Sequence, residues 1–282
     1  MFLPDLLQGK RILVTGGGTG LGKSMAARFL ELGAEVAICG RREEVLEAAA
    51  AELDKSRSGR VSWRQLDIRD PEAVEAAVES LWREKPLNAL INNAAGNILS
   101  RTEDLSHRAV DSVIGTVLHG AAYITLACGK RWIGEKRAGT VLSIVTTYAW
   151  TGSAYVVPSA MAKAGVLAMT QSLAVEWGPK NIRLNAIAPG PFPTEGAWQR
   201  LVPRPDMELA WKKRIPLGRF GRHEELTDLA AYLLCDRSGY INGEVVTIDG
   251  GEWLKGAGQF SLAEDLTDAD WAAMRTQAKG KK

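Results

Sequence analysis

Short apolar runs alternate along the chain with longer stretches in which apolar residues recur at helical spacing. The short runs are apolar nearly throughout, which predicts buried strands. The predicted strands are 11–15, 35–39, 61–66, 89–91, 140–145, 183–187 and 245–248. The predicted helices are 20–32, 43–54, 71–84, 105–134, 158–177 and 222–234. This alternation indicates an α/β fold with a doubly wound parallel sheet of about seven strands and helices on both faces.

Two segments depart from the alternation. Residues 190–220 are rich in proline and tryptophan, which predicts a long loop or helical lid over a site. Residues 254–282 form a C-terminal tail that ends in Lys-Lys and is expected to fray in part. Because the sequence contains no internal repeat and no low-complexity linker, we predict a single domain over 1–282.

Composition narrows the function classes. The chain has 282 residues, and its 35 Lys and Arg nearly balance its 33 Asp and Glu, which argues against general nucleic-acid binding. Its three cysteines (Cys39, Cys128 and Cys235) match no metal spacing and no disulfide framework. The start of the chain does not read as a secretory signal, and no uncharged apolar run approaches about 18 residues. The cytoplasm is therefore the expected location, with no membrane partner and no bound metal.

A glycine-rich motif, Thr15-Gly-Gly-Gly-Thr-Gly-Leu-Gly22, follows the first predicted strand and opens the first helix. Glycines at this position permit a tight turn and allow backbone N–H groups to approach a pyrophosphate at the helix N-terminus. The motif predicts a Rossmann-type dinucleotide site. Its predicted cofactor-binding residues are Gly16, Gly17, Gly18, Thr19, Gly20 and Leu21.

Residues at the ends of later strands extend this site. An NAD site usually carries an acid after the second strand, but here the sequence is Cys39-Gly40-Arg41-Arg42. A guanidinium suits a 2′-phosphate, so Arg41 predicts NADPH as the cofactor. Asp67 follows the third strand and can accept a hydrogen bond from the adenine amino group. The remaining predicted cofactor contacts are Asn93, Pro189, Gly190, Pro191 and Phe192.

With these motifs in this order, residues 8–252 resemble the short-chain dehydrogenase/reductase superfamily. That family usually carries Tyr-x-x-x-Lys, in which the tyrosine exchanges a proton with a carbonyl oxygen. Here the same place reads Ser159-Ala-Met-Ala-Lys163. A serine hydroxyl is too weak an acid to replace a phenol near neutral pH, so the proton donor must lie elsewhere. Tyr148, at the end of the preceding strand, is the candidate.

A narrower resemblance is to the NADPH-dependent 2,4-dienoyl-CoA reductases, which have a serine four residues before the lysine and a tyrosine displaced upstream. The matching motifs are Asn92-Asn-Ala-Ala-Gly-Asn97, Tyr148-Ala-Trp-Thr-Gly-Ser153, Val156-Val-Pro-Ser-Ala-Met-Ala-Lys-Ala-Gly165 and Ile241-Asn-Gly243. The similarity continues through Pro189-Gly-Pro-Phe-Pro-Thr-Glu-Gly-Ala-Trp-Gln-Arg200. The resemblance implies reduction of a 2,4-dienoyl-CoA to a 3-enoyl-CoA in the degradation of unsaturated fatty acids.

The resemblance also implies roles for individual residues. Tyr148 and Asn97 would donate hydrogen bonds to the thioester oxyanion, and Lys163 would hold the nicotinamide ribose. Ser159 either hydrogen-bonds a phosphate or the proton relay, or is simply small enough to leave space for a long acyl chain. The coenzyme A contacts implied are Arg41, Arg69, Ser106 and Arg200. The acyl pocket implied is lined by Ile98, Trp150, Phe192 and Trp198.

The sequence departs from the family pattern at two positions and leaves two alternative functions open. Ile98 stands where the family tends to have phenylalanine, and His119 stands where it usually has asparagine. One alternative function is a carbonyl (3-oxoacyl thioester) reductase that uses Tyr148 or Tyr155. The other is a non-catalytic NADPH-binding sensor.

In this superfamily the helices at about 105–134 and 158–177 form a four-helix interface, so a homotetramer is expected.

Overall fold

Seven parallel strands form one central sheet in the order β3-β2-β1-β4-β5-β6-β7. The computed structural model describes residues 2–55, 59–194, 198–202 and 204–279. The strands are β1 (Arg11–Thr15), β2 (Glu35–Gly40), β3 (Val61–Gln65), β4 (Ala89–Asn92), β5 (Gly139–Ile144), β6 (Ile182–Pro189) and β7 (Val245–Ile248). The order reverses at β1, and in such sheets ligands bind beyond the carboxyl ends of the strands at this point.

Helices cover both faces of the sheet. They are α1 (Gly20–Glu31), α2 (Glu43–Asp54), α3 (Pro71–Glu84), α4 (His107–Ile114), α5 (Gly120–Gly134), α6 (Tyr148–Thr151), α7 (Val157–Trp177), α8 (Trp198–Leu201), α9 (Pro205–Arg214), α10 (His223–Leu234), α11 (Glu252–Ala257) and α12 (Asp268–Lys279). Along β1, Ile12 and Val14 pack into one core with α1, α2 and α10. Leu13 points to the other core, which α3, α5 and α7 cover. This period-two division confirms the predicted fold.

The boundaries of the elements follow local signals. Asp70 caps α3, since its side chain accepts hydrogen bonds from the backbone N–H groups of Glu72 and Ala73. Ser106 caps α4 in the same way by accepting from Ala109, so the predicted helix 105–134 begins at His107. Strand β6 is longer than predicted because β7 pairs with it as far as Pro189.

The stretch 107–134 is helical throughout but is not one regular α-helix. A five-residue π-helical segment, Gly115–His119, joins α4 to α5. In the described part of the chain this is the one helix long and apolar enough to cross a membrane, and half of its most apolar window is buried within the fold. Ile124, Ala127 and Trp132 lie in the core beside α3 and α7, and this packing accounts for the apolar composition.

The segment 190–220 contains two short helices, α8 and α9, among loops. Trp198 of α8 stacks on Trp211 of α9 with ring centroids 5.5 Å apart, and Phe220 packs edge-on against both rings. The indole of Trp211 donates to Glu252 at 2.7 Å, which ties α9 to α11. The tail, predicted to fray in part, is helical from Asp268 to Lys279 and largely exposed.

Candidate active site

The glycine-rich loop between β1 and α1 has the shape that a pyrophosphate requires. Gly16 and Gly20 have φ values of +65° and +53°, a backbone conformation that side chains rarely adopt. A Cβ atom on Gly22 would lie 2.4 Å from the carbonyl oxygen of Gly16, so the first turn of α1 packs directly on the loop. The N-terminus of α1 therefore faces an open cleft at the end of the sheet.

This cleft, of about 540 Å³, brings together most of the predicted cofactor residues. They are Gly16, Gly18, Thr19, Gly20, Leu21, Arg41, Asp67 and Asn93. The pyrophosphate end lies at Gly20, and Arg41 and Arg42 lie at the end of β2. Backbone N–H groups at a helix N-terminus and arginines in one cleft suit the phosphates of a nicotinamide dinucleotide.

Two of the predicted cofactor residues, Gly17 and Asn93, hold the glycine-rich loop in place. A Cβ atom on Gly17 would lie 2.6 Å from the Ile38 side chain, so Gly17 is needed for the approach of the loop to β2. The amide of Asn93 donates to the carbonyl oxygens of Thr15 at 3.0 Å and Gly16 at 3.3 Å. Asn93 thus fixes the glycine-rich loop to the end of β4 while lining the cleft.

Asp67 and Arg69 form an ion pair at the edge of the cleft. The Arg69 Nε atom lies 2.9 and 3.0 Å from the two carboxylate oxygens of Asp67. The hydrogen bond from Arg69 holds the pKa of the Asp67 carboxyl below its usual value, so Asp67 remains an acceptor. Arg69, which the resemblance implies as a coenzyme A contact, is committed to Asp67 in this structure.

The predicted contacts after β6 are placed differently from those in the cleft. Pro189, Gly190 and Pro191 are outside the set of residues lining the 540 Å³ cleft. The ring of Phe192 is buried in the core and fills the space beside Gly221, where a Cβ atom would be only 2.3 Å away. Core packing holds the ring in this position, and the implied contact of Phe192 with the acyl chain stays a prediction.

Two threonines that line the cleft were not singled out from the sequence. Thr116 lies in the π-helical segment, and such segments are frequent at functional sites. Thr194 lies against Gly20, and its methyl group is 3.4 Å from the position of a glycine Cβ. Thr194 follows Pro189-Gly-Pro191 by only three residues, so an extended reading of that motif would have found it.

The catalytic residues implied by the resemblance meet at the start of α6 and α7. The Tyr148 hydroxyl lies 3.2 Å from the Ser159 hydroxyl and 3.5 Å from the Asn97 amide nitrogen. Tyr148 is half-buried at the start of α6, which follows β5 directly. Tyr155, the other candidate donor, is exposed in a loop with a φ of +66°. The structure thus brings Tyr148, and not Tyr155, to Ser159.

Lys163 lies one helical turn beyond Ser159 and is buried. Its ammonium donates a hydrogen bond to the carbonyl oxygen of Ile144 at the end of β5. Burial lowers the pKa of this amine from 10.5 to about 8, because water no longer solvates the charge. A lysine placed in this way is poised to lose its proton just above neutral pH.

The other residues that the resemblance implies around the substrate lie on several different elements. Ile98 is half-buried beside Val113 and Val117, and Ser106 is exposed at the cap of α4. Trp150 packs edge-on against Trp253 of α11, with centroids 5.5 Å apart. Arg200 falls in α8, but its side chain lies outside the described residues. His119 is exposed in the π-helical segment, with its ring 6.0 Å from that of Tyr123.

Residues 16–252 match the family model described as enoyl-(acyl carrier protein) reductase. The chain belongs to the short-chain dehydrogenase/reductase superfamily, a class of oxidoreductases with a site for a nicotinamide dinucleotide. Its homologues include proteins named as 2,4-dienoyl-CoA reductases, in agreement with the narrower resemblance of the sequence.

Two relatives illustrate the similarity. A Bacillus subtilis protein named as a probable 2,4-dienoyl-CoA reductase, (2E)-enoyl-CoA-producing, is 43% identical over 253 residues, covering 88% of this chain and 98% of the relative. A Caenorhabditis elegans protein named as probable 2,4-dienoyl-CoA reductase 3, (3E)-enoyl-CoA-producing, is 43% identical over 250 residues, covering 87% and 81%.

Solved structures agree with the fold. A short-chain dehydrogenase from Bacillus anthracis superposes with a TM-score of 0.80 at 42% identity, covering 90% of this chain and 99% of that one. An Agrobacterium tumefaciens protein assigned as a 2-deoxy-D-gluconate 3-dehydrogenase has a TM-score of 0.80 at 30% identity, covering 90% and 100%. That second structure contains bound NADP.

Proposed function

We propose that this protein reduces 2,4-dienoyl-CoA thioesters to 3-enoyl-CoA with NADPH, a reaction of unsaturated fatty-acid degradation. The proposal rests on the position of the Tyr148 hydroxyl, which lies between the Ser159 hydroxyl and the Asn97 amide. Lys163 lies one helical turn beyond Ser159. This arrangement offers two donors to one substrate oxygen without the usual tyrosine. The names of the relatives from Bacillus subtilis and Caenorhabditis elegans support the same substrate class.

The chemistry follows from these side chains. When bound, NADPH supplies the hydride that the C5 carbon of the dienoyl thioester accepts. Negative charge then spreads through the conjugated system to the thioester oxygen, where the Tyr148 O–H and the Asn97 N–H donate hydrogen bonds. A proton from water at C2 completes the reduction and yields the 3-enoyl-CoA.

Lys163 and Ser159 support this donor. The positive charge of Lys163, buried near the dienolate, favours negative charge on the substrate, and its ammonium would hold the nicotinamide ribose hydroxyls. The Ser159 hydroxyl is buried and hydrogen-bonds the Tyr148 oxygen, which holds the phenol in place. This contact supports a role for Ser159 in the donor network rather than in phosphate binding.

The position of the product double bond is part of the proposal. The two relatives carry names with different products, one with a 2-enoyl and one with a 3-enoyl thioester. Protonation at C4 would give the former and protonation at C2 the latter. The polar groups of this site gather where the thioester oxygen would bind, and C2 adjoins the carbon that bears that oxygen. We therefore assign protonation to C2.

NADPH is proposed over NADH because of the arginines at the end of β2. Arg41 lines the cleft where a ribose 2′-phosphate would lie. The loss of a charge-assisted hydrogen bond weakens binding by about 10- to 100-fold. We expect Arg41→Ser to raise the Kd for NADPH by this factor and to leave the Kd for NADH unchanged, as measured by tryptophan fluorescence. Arg83→Ser, at an exposed arginine of α3 outside the cleft, is the control, and equal affinity of the unmodified protein for both cofactors would contradict the proposal.

The reaction is tested by NADPH oxidation with 2,4-hexadienoyl-CoA, beside acetoacetyl-CoA and a blank without substrate. We expect turnover with the dienoyl thioester only, and an NMR spectrum of the product with the double bond at C3. Turnover with acetoacetyl-CoA alone would indicate the carbonyl reductase instead. Tight NADPH binding without turnover of either thioester would indicate a non-catalytic sensor.

A further inference from the structure

His223, the first residue of α10, joins two segments that are far apart in the sequence. Its Nε2 atom lies 2.8 Å from the carbonyl oxygen of Pro193, and its Nδ1 atom lies 2.8 Å from the hydroxyl of Ser24 in α1. Because a carbonyl can only accept, Nε2 carries the proton and donates to Pro193. Nδ1 and the Ser24 hydroxyl share the second hydrogen bond of the ring. Both partners are thereby fixed in orientation.

The two partners of His223 border the pyrophosphate end of the cofactor cleft. Ser24 lies one turn into α1, and its hydroxyl is also 3.2 Å from the carbonyl oxygen of Gly20. Pro193 directly precedes Thr194, which lines the cleft and packs against Gly20. The imidazole therefore links the helix that would bind the pyrophosphate to the loop that covers it.

The preceding residues of the loop after β6, Pro191 and Phe192, contact the segment before α10. The backbone N–H of Gly221 donates to the carbonyl oxygen of Pro191 at 3.1 Å, and the Phe192 ring packs on Gly221. These contacts attach the loop to the segment before α10 but not to α1. The bridge from Ser24 through His223 to Pro193 ties the residue next to Thr194 to the first turns of α1.

We infer that His223 is a positioning residue for the dinucleotide. It holds Thr194 over the pyrophosphate position before the cofactor binds, so that less loop entropy is lost on binding. This positioning acts on the pyrophosphate and nicotinamide half of the cofactor, because the adenine half would lie at the ends of β2 and β3 instead. It rests on the NADPH part of the proposed function and not on the dienoyl substrate.

Cofactor titration tests the inference without turnover. We expect His223→Ala to raise the Kd for NADPH about tenfold, the effect of losing an ordinary hydrogen bond. The Kd for adenosine 2′-monophosphate, which has no pyrophosphate, should change less than about twofold. His223→Gln keeps one donor and one acceptor and should recover most of the affinity for NADPH. His107→Ala, at an exposed histidine at the start of α4, is the control.

The following results for the variants would overturn the positioning role of His223. An unchanged Kd for NADPH in His223→Ala would show that the bridge does not position the loop. An equal rise in the Kd for NADPH and for adenosine 2′-monophosphate would show a merely structural role. The same conclusion would follow if His223→Gln did not recover the affinity for NADPH. If His223→Ala does not fold, Ser24→Ala removes the other end of the bridge and must show the same selective loss. A wild-type protein that binds NADPH but does not reduce the dienoyl thioester contradicts the proposed reaction alone.

Discussion

A contact with Ser159 orients Tyr148, the proposed hydrogen-bond donor to the substrate. At 3.2 Å, the two oxygens share one hydrogen bond, and the serine is almost fully buried. A tyrosine at position 159 would place its own ring in the region that the Tyr148 hydroxyl reaches. The small serine thus makes room for the displaced phenol and also orients it. From the sequence, Ser159 either hydrogen-bonds a phosphate or the proton relay or leaves space for an acyl chain, and its contact with Tyr148 supports a role in the donor network.

Replacement of Tyr148 by phenylalanine tests the donor. We expect Tyr148→Phe to lower kcat/KM for 2,4-hexadienoyl-CoA by about 10²- to 10³-fold, as the loss of one oxyanion donor does elsewhere. The Kd for NADPH should not change, because the ring remains. Tyr155→Phe is the matched control and should retain full activity. Similar losses in both variants would refute the assignment of Tyr148.

The buried amine of Lys163 predicts a pH dependence. Its pKa is lowered to about 8, so the ammonium is present below that pH and is lost as the pH rises through it. If the positive charge holds the ribose and favours the dienolate, kcat/KM falls about tenfold per pH unit above this value. Rates measured from about pH 6 to about pH 10 check this expectation. Tyr148→Phe should keep the same falling limb at lower activity, and a flat profile would contradict the role of the charge.

At the scale of the elements, the sequence predicted the strands, helices and caps that depend on the local order of apolar and polar residues. The strands and helices follow from apolar periodicity, and the Asp70-Pro71 cap follows from side-chain chemistry. The π-helical segment Gly115–His119 was not predicted, because an extra residue in a helical turn leaves no clear trace in periodicity. The same segment places Thr116 in the cleft and lies beneath Arg69. A local irregularity thus decides which residues of a long helix face the site.

The packing of α5 on α7 depends on a glycine. A Cβ atom on Gly129 would lie 2.3 Å from the ring of the buried Trp177. We expect Gly129→Ala to overpack this contact, with a loss of about 1–3 kcal/mol and a drop in Tm of roughly 2 to 12 °C. Gly134→Ala, at the end of the same helix with no atom within 4 Å, is the control and should not lower Tm. Equal Tm values in thermal melts of both variants would contradict this packing.

At the scale of the whole molecule, the cleft unites residues from six separate segments. The glycine-rich loop, Arg41 and Asp67 could be found from the sequence, because parallel strands carry their carboxyl ends to one edge. His223 could not be placed in this way. Its position depends on how α10 packs against α1 and the loop after β6, and its partner Ser24 lies 199 residues earlier in the chain. Long-range packing of this kind has no local sequence signal.

Exposed apolar residues on α5 and α7 bear on the oligomeric state. In the single chain, α7 exposes Met161 and Val175, and α5 exposes Leu126. Apolar side chains on neighbouring helices suit burial against a second copy, so we expect a homotetramer through these helices. Light scattering should then give four times the chain mass of 30.5 kDa.

A charge on α7 tests that interface directly. Val175 is 80% exposed in the single chain, and a glutamate there would be buried without a partner in the tetramer. We expect Val175→Glu to lower the mass measured by light scattering, while circular dichroism stays unchanged. Leu209→Glu places the same charge on the exposed lid helix α9 and should leave the tetramer intact. A monomer mass for the wild-type protein would refute the assembly, and a tetrameric Val175→Glu would move the interface away from α7.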